Sequence, residues 1–376
     1  MKKVLFLILA LMTGLAVNAQ SNFDARMRNA VEMMDQGLFP QAISQLEGVV
    51  KDYPKSFIPR YELAYAYLLN GDPQKAYTCL KKAKGCKDKT DQWYQLMGTM
   101  EDEYLNNPDK CMKTLQKGLK EFPNSGLLHV EMGVMHQIRK EYDEAGACYL
   151  DGIERDPMFT SNYFRAANLY LASSRPTWGL MFCEMYMLLD PYSERANAIS
   201  KNLAEFMRQS VSITDSSISI TLGKEYTITV DPDNMTFMMP FEVTYNLKAS
   251  LSTIPAAIKG KTELDIETLT IMHRALMDEF TKTDPERPES KSLSQKHGDI
   301  LFPFLKRIDD AGFFDVYCHL LYRGMGDDAI EWLEDHQSEL EDFHNWLLTT
   351  PFVVTTQTAF TPRTAKAYNL LEGSSE

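Results

Sequence analysis

The sequence is short of the features that announce chemistry. It has no HExxH zinc motif, no GxSxG nucleophile turn, no GxxxxGK phosphate loop and no GxGxxG dinucleotide turn. It is also short of positive charge: 39 Lys plus Arg stand against 52 Asp plus Glu, a net of -13. Duplex nucleic acid needs concentrated cations to meet its phosphates, so that partner class is disfavoured. Asp231-Pro232-Asp233-Asn234 offers oxygen ligands but lacks the glycine and distal glutamate of a calcium loop, and reads as a turn. No metal and no cofactor is implied. No apolar run reaches the roughly 20 residues that a membrane helix requires. What is present, 44% hydrophobic and 24% charged residues over 376 positions, is the composition of a folded protein of two or three domains.

The first residues read as a processing signal. Lys2 and Lys3 precede an apolar run of 14 residues, Val4 to Val17, and Val17-Asn18-Ala19 places small residues at a cleavage site. Cleavage after Ala19 would leave Gln20 first. It would also remove two lysines, so 37 bases against 52 acids give -15. The first cysteine is Cys79, which argues against a lipid-modified N-terminus. The segment resembles Gram-negative, Bacteroidetes-type export signals, and that resemblance implies the periplasm or secretion.

Beyond it the chain repeats itself. Small residues fall at Ala30, Ala64, Gly98, Gly133 and Ala167, spaced 34, 34, 35 and 34. Ala42, Ala76, Cys111, Ala145 and Gly179 keep a second register, and Pro54, Asp88, Pro123, Pro157 and Pro191 a third. The one extra residue falls between Gly98 and Cys111, and a loop near Asn106-Asn107-Pro108 is expected to absorb it. Within a unit the apolar residues recur at helical intervals, as in Leu63, Ala64 and Tyr67, then Ala76, Leu80 and Ala83. Gly71-Asp72-Pro73 between them supplies a helix stop, an N-cap and a first-turn proline. Each unit is therefore two antiparallel helices.

This period and pattern resemble the tetratricopeptide repeat family over residues 23 to 193, best in Phe57 to Thr90 and Gly126 to Phe159; Asn29 departs from it, standing where a large apolar residue is usual. The resemblance implies a mostly α fold, a five-repeat superhelix over 20–209 with a capping helix over 194–208; the pattern of the remaining residues, read below, adds a smaller acidic α+β domain over 210–376. It also implies a groove lined by the first helix of each unit, here Met27, Val31, Tyr61, Tyr65, Leu68, Gln95, Thr99, Val130, Val134, Gln137, Phe164, Asn168 and Leu171. Family members that grip a C-terminal carboxylate use inward Lys, Arg and Asn; only Asn168 fits, so that mode is disfavoured. A groove of Tyr, Phe, Leu and Met instead suits an apolar helix or extended peptide, or a second domain of the same chain.

After Ser210 the periodicity changes. Val211 to Thr221, Glu225 to Val230 and Phe241 to Leu251 alternate with period two and read as strands. Helices are expected over 264–283, 299–311, 314–323 and 327–348, a solvated loop over Lys282 to His297, and a last strand in PFVVTTQTAF. This half resembles no known family. It holds 27 acids and 14 bases, against 25 and 23 in residues 20 to 209, so the acidity belongs to it. The last expected helix carries an apolar stripe, Ile330, Leu333, Leu340, Phe343 and Leu347, with carboxylates facing mainly away.

Three functional readings follow. The first is an extracytoplasmic scaffold that binds a protein or peptide in the repeat groove and performs no catalysis. The second is an enzyme with its site around Asp315, Cys318 and His319. The third is a groove for a small apolar ligand or glycan. Of the six cysteines, Cys79, Cys111, Cys148 and Cys183 fall in second helices of successive units. Packed helices lie about 8–10 Å apart, beyond the roughly 7 Å Cα reach of a disulfide, so they read as small buried thiols.

Overall fold

The computed structural model describes residues 22–214, 217–223, 229–231, 236–287 and 289–370. The expected signal peptide and most of the turn Asp231 to Asn234 lie outside them. The chain separates into two compact units, one ending at Met135 and one beginning at His136.

The first unit is a series of antiparallel helix pairs: α1 (22–35), α2 (Phe39–Asp52), α3 (Ile58–Leu69), α4 (Pro73–Ala83), α5 (Gln92–Thr99), α6 (Pro108–Glu121) and the start of α7 (Gly126–Ile138). Proline occupies the first turn of α2, α3, α4 and α6, where its missing N–H costs nothing. The repeat's small residues are where helices touch. A Cβ added to Gly98 would sit 3.3 Å from Cys111 Sγ and from Leu115, and one added to Gly118 would sit 2.8 Å from Leu128 and Tyr94.

The extra residue of the 35-residue spacing is not in the loop. It is taken up by a π-helical turn, Met100–Tyr104, that continues α5, with Leu105 N–H donating to Met100 O. Such a turn inserts one residue into a helix without breaking it. The left-handed residues that end the first helices confirm the placement: Gly37, Gly71, Asn106 and Lys140, at φ of 73°, 81°, 48° and 62°, are spaced 34, 35 and 34.

In the second unit, α8 (Tyr142–Arg155), α9 (Thr160–Leu171) and α10 (Pro176–Leu189) continue the pairs, and α11 (Glu194–Ser210) stands where the cap is expected, with Ile199 and Leu203 buried. α10 is buried from Pro176 to Leu188 without a break. A helix apolar on all sides belongs inside a core, and α10 is packed by α9, α11, α12 (Phe241–Ile258) and α15 (Leu301–Asp310). The outer side of α11 is covered in turn. Ser200 Oγ donates to Leu321 O and accepts from Gly324 N, at 2.7 and 2.8 Å. The expected boundary at 209/210 therefore falls inside one compact unit.

The remaining elements are α13 (Ile266–Thr281), α14 (Leu293–His297), α16 (Phe314–Tyr322), α17 (Asp327–Asp335) and α18 (Gln337–Thr349). β1 (Val211–Thr214) and β2 (Ser217–Ile220) form a hairpin in the register Val211↔Ile220, and β3 (Thr229–Asp231), β4 (Thr236–Met239) and β5 (Tyr368–Asn369) an antiparallel sheet in the order β3-β4-β5.

Three expectations are corrected. Residues 241 to 251 are helical: Phe241, Thr244, Tyr245, Ala249, Ser252 and Thr253 are buried at a 3.6 period, and the apparent alternation comes from Leu247 and Leu251, which are exposed. PFVVTTQTAF forms no strand. Its aromatics instead enter the core, Phe352 5.1 Å from Phe304 and Phe360 4.9 Å from Phe241. The helix expected over 327–348 is broken at His336, whose ring stacks 3.8 Å from Trp332.

Candidate functional site

In the first unit the expected groove face is partly open. Val31 on α1 and Tyr65 on α3 are 38% and 42% exposed. Tyr61 is half-buried, with its ring 5.6 Å from Phe57, and burial together with nearby Glu62 pushes its hydroxyl up to about 12. Leu68 is half-buried beside them. Gln95 and Thr99 are tied to each other: Gln95 Nε2 donates to Thr99 Oγ1 at 3.4 Å and to Glu131 Oε1 at 3.3 Å, while Thr99 Oγ1 donates to Gln95 O. Met27 and Val130 are buried, at 8% and 7% exposure, and serve packing.

The face is thus less apolar than the family pattern implied. Glu62, half-buried with its carboxyl raised by desolvation, and Glu131 lie among its aromatics and amides. Neither stands at one of the family's inward positions, so the resemblance gave no signal for them.

In the second unit the corresponding positions are committed to internal bonds. Gln137 Oε1 accepts from Tyr149 OH at 2.9 Å, whereas Val134, which belongs to the first unit, is half-buried. The Phe164 ring is tilted against Tyr186, with centroids 5.8 Å apart, and lies under the Arg195 guanidinium at 5.4 Å. Asn168 Nδ2 donates to Phe164 O, and its Oδ1 accepts from Asn202 Nδ2 at 2.5 Å. The Leu171 backbone lies 2.4 Å from where a Gly179 Cβ would be, so a larger residue there would drive α9 from α10.

The alternative site does not assemble. Asp315 pairs with Arg274 at 3.4 Å, His319 Nδ1 bonds the Asp315 carbonyl and its ring stacks 3.6 Å from Trp332, and Cys318 is fully buried. The partner of Cys318 is a residue that spacing could not reveal: its Sγ lies 4.0 Å from Nδ1 of buried His273, whose Nε2 is 3.0 Å from Glu184 Oε2. Tyr317 OH also donates to Glu184, at 3.2 Å. Burial alone would depress the imidazole, but the Glu184 carboxylate overrides that and raises it. The cluster lies inside the core around α10, and it holds α13 and α16 to that helix.

One cleft had no sequence signal beyond a polar stretch. The segment expected to be a solvated loop, 282–297, walls a groove of about 800 Å³ together with α12, α13 and Tyr368. α14 within it is fixed by a capping box, with Ser292 Oγ accepting from Gln295 N and Gln295 Oε1 accepting from Ser292 N. His297 is buried and bonds Lys366 O at 2.7 Å.

The tetratricopeptide repeat model matches residues 33–99. No curated protein matches the chain. Among solved structures, PilW, a widely conserved type IV pilus biogenesis factor, is similar at 16% identity over 50% of this chain and 84% of its own, with a TM-score of 0.41. A thermophilic TPR protein of Thermus thermophilus is similar at 17% identity over 48% of this chain and 98% of its own, with a TM-score of 0.41. YrrB, a TPR protein with an unusual peptide-binding site, is similar at 15% identity over 47% and 90%, with a TM-score of 0.33. Among the described residues no helix is long and apolar enough to cross a membrane.

Proposed function

We infer that this chain, which carries tetratricopeptide repeats, is an extracytoplasmic scaffold that binds a peptide or protein segment on the first helices of its N-terminal unit and carries out no chemistry of its own. The observation that supports this reading is the open face of α1 and α3, where Val31 and Tyr65 keep large apolar surfaces in solvent. Apolar side chains left in solvent side by side mark a docking surface, whereas single exposed ones are common on any protein. Glu62 and Glu131 beside them refine the ligand: a segment with apolar side chains and at least one Lys or Arg, whose cation meets a half-buried carboxylate. The site is centred on Tyr61, Tyr65, Leu68, Gln95 and Thr99. Val134, Gln137, Phe164 and Asn168 position neighbouring helices.

Affinity capture from the envelope fraction tests the reading. Tyr65→Ala and Val31→Asp are expected to abolish recovery of a partner that the wild type retains, with the melting temperature unchanged, because both side chains are exposed. Unchanged recovery would remove the α1–α3 face from consideration. The extracytoplasmic location rests on the N-terminal signal, and N-terminal sequencing is expected to find Gln20 first.

A further inference from the structure

The groove walled by α12, α13, α14 and β5 reverses the charge of the half that contains it. Residues 210 to 376 carry 27 acids and 14 bases, yet this cleft gathers Lys248, Lys282, Arg287, Lys291 and Lys296 against only Glu279 and Asp284. Glu279 is shared by Lys248, at 2.6 Å, and Lys282. Lys296 Nζ lies 4.9 Å over the Tyr368 ring, and exposed Lys291 meets no carboxylate among the described residues. The rim is apolar. Leu247 and Leu370 are 52% and 49% exposed, and from Leu247 the bare edge of α12 continues through Leu251, Ile254 and Ile258.

The opposite charge is concentrated on α17 and α18. Residues 327 to 342 hold eight carboxylates and no Lys or Arg. Among the described residues the one ion pair they make is His336 with Glu339, at 3.9 Å. They too are flanked by bare apolar side chains, Ile330 and Leu348. A basic groove with an apolar rim and an acidic helix pair with exposed apolar residues are therefore both present on one chain, and among the described residues no ion pair joins them within it.

We propose that the groove receives the acidic α17–α18 face of a second copy of this chain. The concavity favours a helical segment over a lipid surface, since a flat bilayer cannot enter a groove. Two different faces meet, so copies joined head-to-tail build a ring or an extending chain, and a reciprocal pair about a two-fold axis closes as a dimer. Its strength falls with salt, because exposed charges separated by more than about 10 Å are screened at 0.1 M ionic strength. The assembly is independent of the repeat face, and its failure would leave the peptide-binding reading untouched.

Sedimentation of the full chain tests it. The wild type is expected to form species larger than the monomer at low ionic strength and to dissociate in high salt. Lys291→Glu with Lys296→Glu turns the groove's five cations and two carboxylates into three and four, and Glu339→Lys with Glu341→Lys cuts the net charge of residues 327 to 342 from -8 to -4; each double variant alone is expected to lose assembly. Circular dichroism checks that both fold, and the neutral pair Lys291→Gln with Lys296→Gln serves if the reversal does not. The first double variant keeps an intact acidic face and the second an intact groove, so mixing them is expected to give a complex of two chains that grows no further. A monomeric wild type at low salt would overturn the proposal, as would a mixture that forms no complex. A monomeric wild type that binds an added polyglutamate peptide would assign the groove to a different acidic partner, and would equally overturn it.

Discussion

Two residue types in the repeats are set by close approach, and their substitution separates packing from binding. At Gly118 a methyl group would meet Tyr94 Cβ at 2.8 Å, an atom fixed to its backbone, so Gly118→Ala must push α6 from α5. A loss of about 1–3 kcal/mol is expected in denaturant unfolding. Leu128→Ala, at a fully buried position, is expected to cost about 2–5 kcal/mol. Tyr65→Ala should leave stability within error, since the side chain is 42% exposed. The Gly98 and Ala64 positions were legible from spacing alone, because a small residue recurs wherever two axes cross. Which large residues on the same helices remain open was not: Val130 and Tyr65 are both apolar first-helix positions, yet one is buried and the other bare. Glu62 was invisible for a related reason, as a charged residue reads as solvated until its neighbours are placed.

The secondary structure followed the sequence where one periodicity acted and departed from it where two competed. In the repeats, helical spacing, first-turn prolines and left-handed turn residues agree, and only the π-helical turn Met100–Tyr104 differs, because a spacing locates an insertion without saying whether a loop or a helix absorbs it. In α12 the residues Phe241, Val243, Tyr245 and Leu247 alternate, but burial follows the 3.6 period, and tertiary contacts overrode local β propensity. The N-cap of α11 offers a test at this scale. Ser193 Oγ accepts from Ala196 N at 3.2 Å and bonds Tyr186 OH at 3.0 Å. Ser193→Ala is expected to lower stability by about 1 kcal/mol, measured as a shift of the unfolding midpoint.

The second unit is held by groups brought from far apart in the chain. α10 belongs to the last repeat, yet Trp178 Nε1 donates to Glu242 at 2.6 Å and Thr177 Oγ1 to Asn246 at 2.8 Å. The C-terminal segment returns to α8, where Thr361 Oγ1 donates to Glu154 at 2.7 Å and Arg363 pairs with Asp151 at 2.6 Å. The His273–Glu184 pair makes this core sensitive to base. Folded His273 keeps its proton to about 10 where an ordinary imidazole releases it at 6.5. The pair's stabilisation is therefore complete below pH 6.5 and is lost as pH rises toward 10. The difference in melting temperature between wild type and Glu184→Gln is expected to shrink over that interval, and at neutral pH the substitution should cost about 3–5 kcal/mol. The six thiols are free, and burial raises those of Cys79, Cys148 and Cys183. A thiol reagent is expected to label buried Cys79 and Cys183 only after denaturation, Cys148 being half-buried where a buried thiol was expected, and non-reducing mass measurement to find no bridge. The sequence alone determined the helix pairs and their period, because each depends on contacts between residues a turn or one repeat apart. Only the tertiary structure decided that α10 is the core of the second unit, that the expected loop 282–297 walls a basic groove, and that Cys318 meets His273 instead of its chain neighbours. Those contacts join segments tens of residues apart, and spacing records nothing about which distant face will cover another.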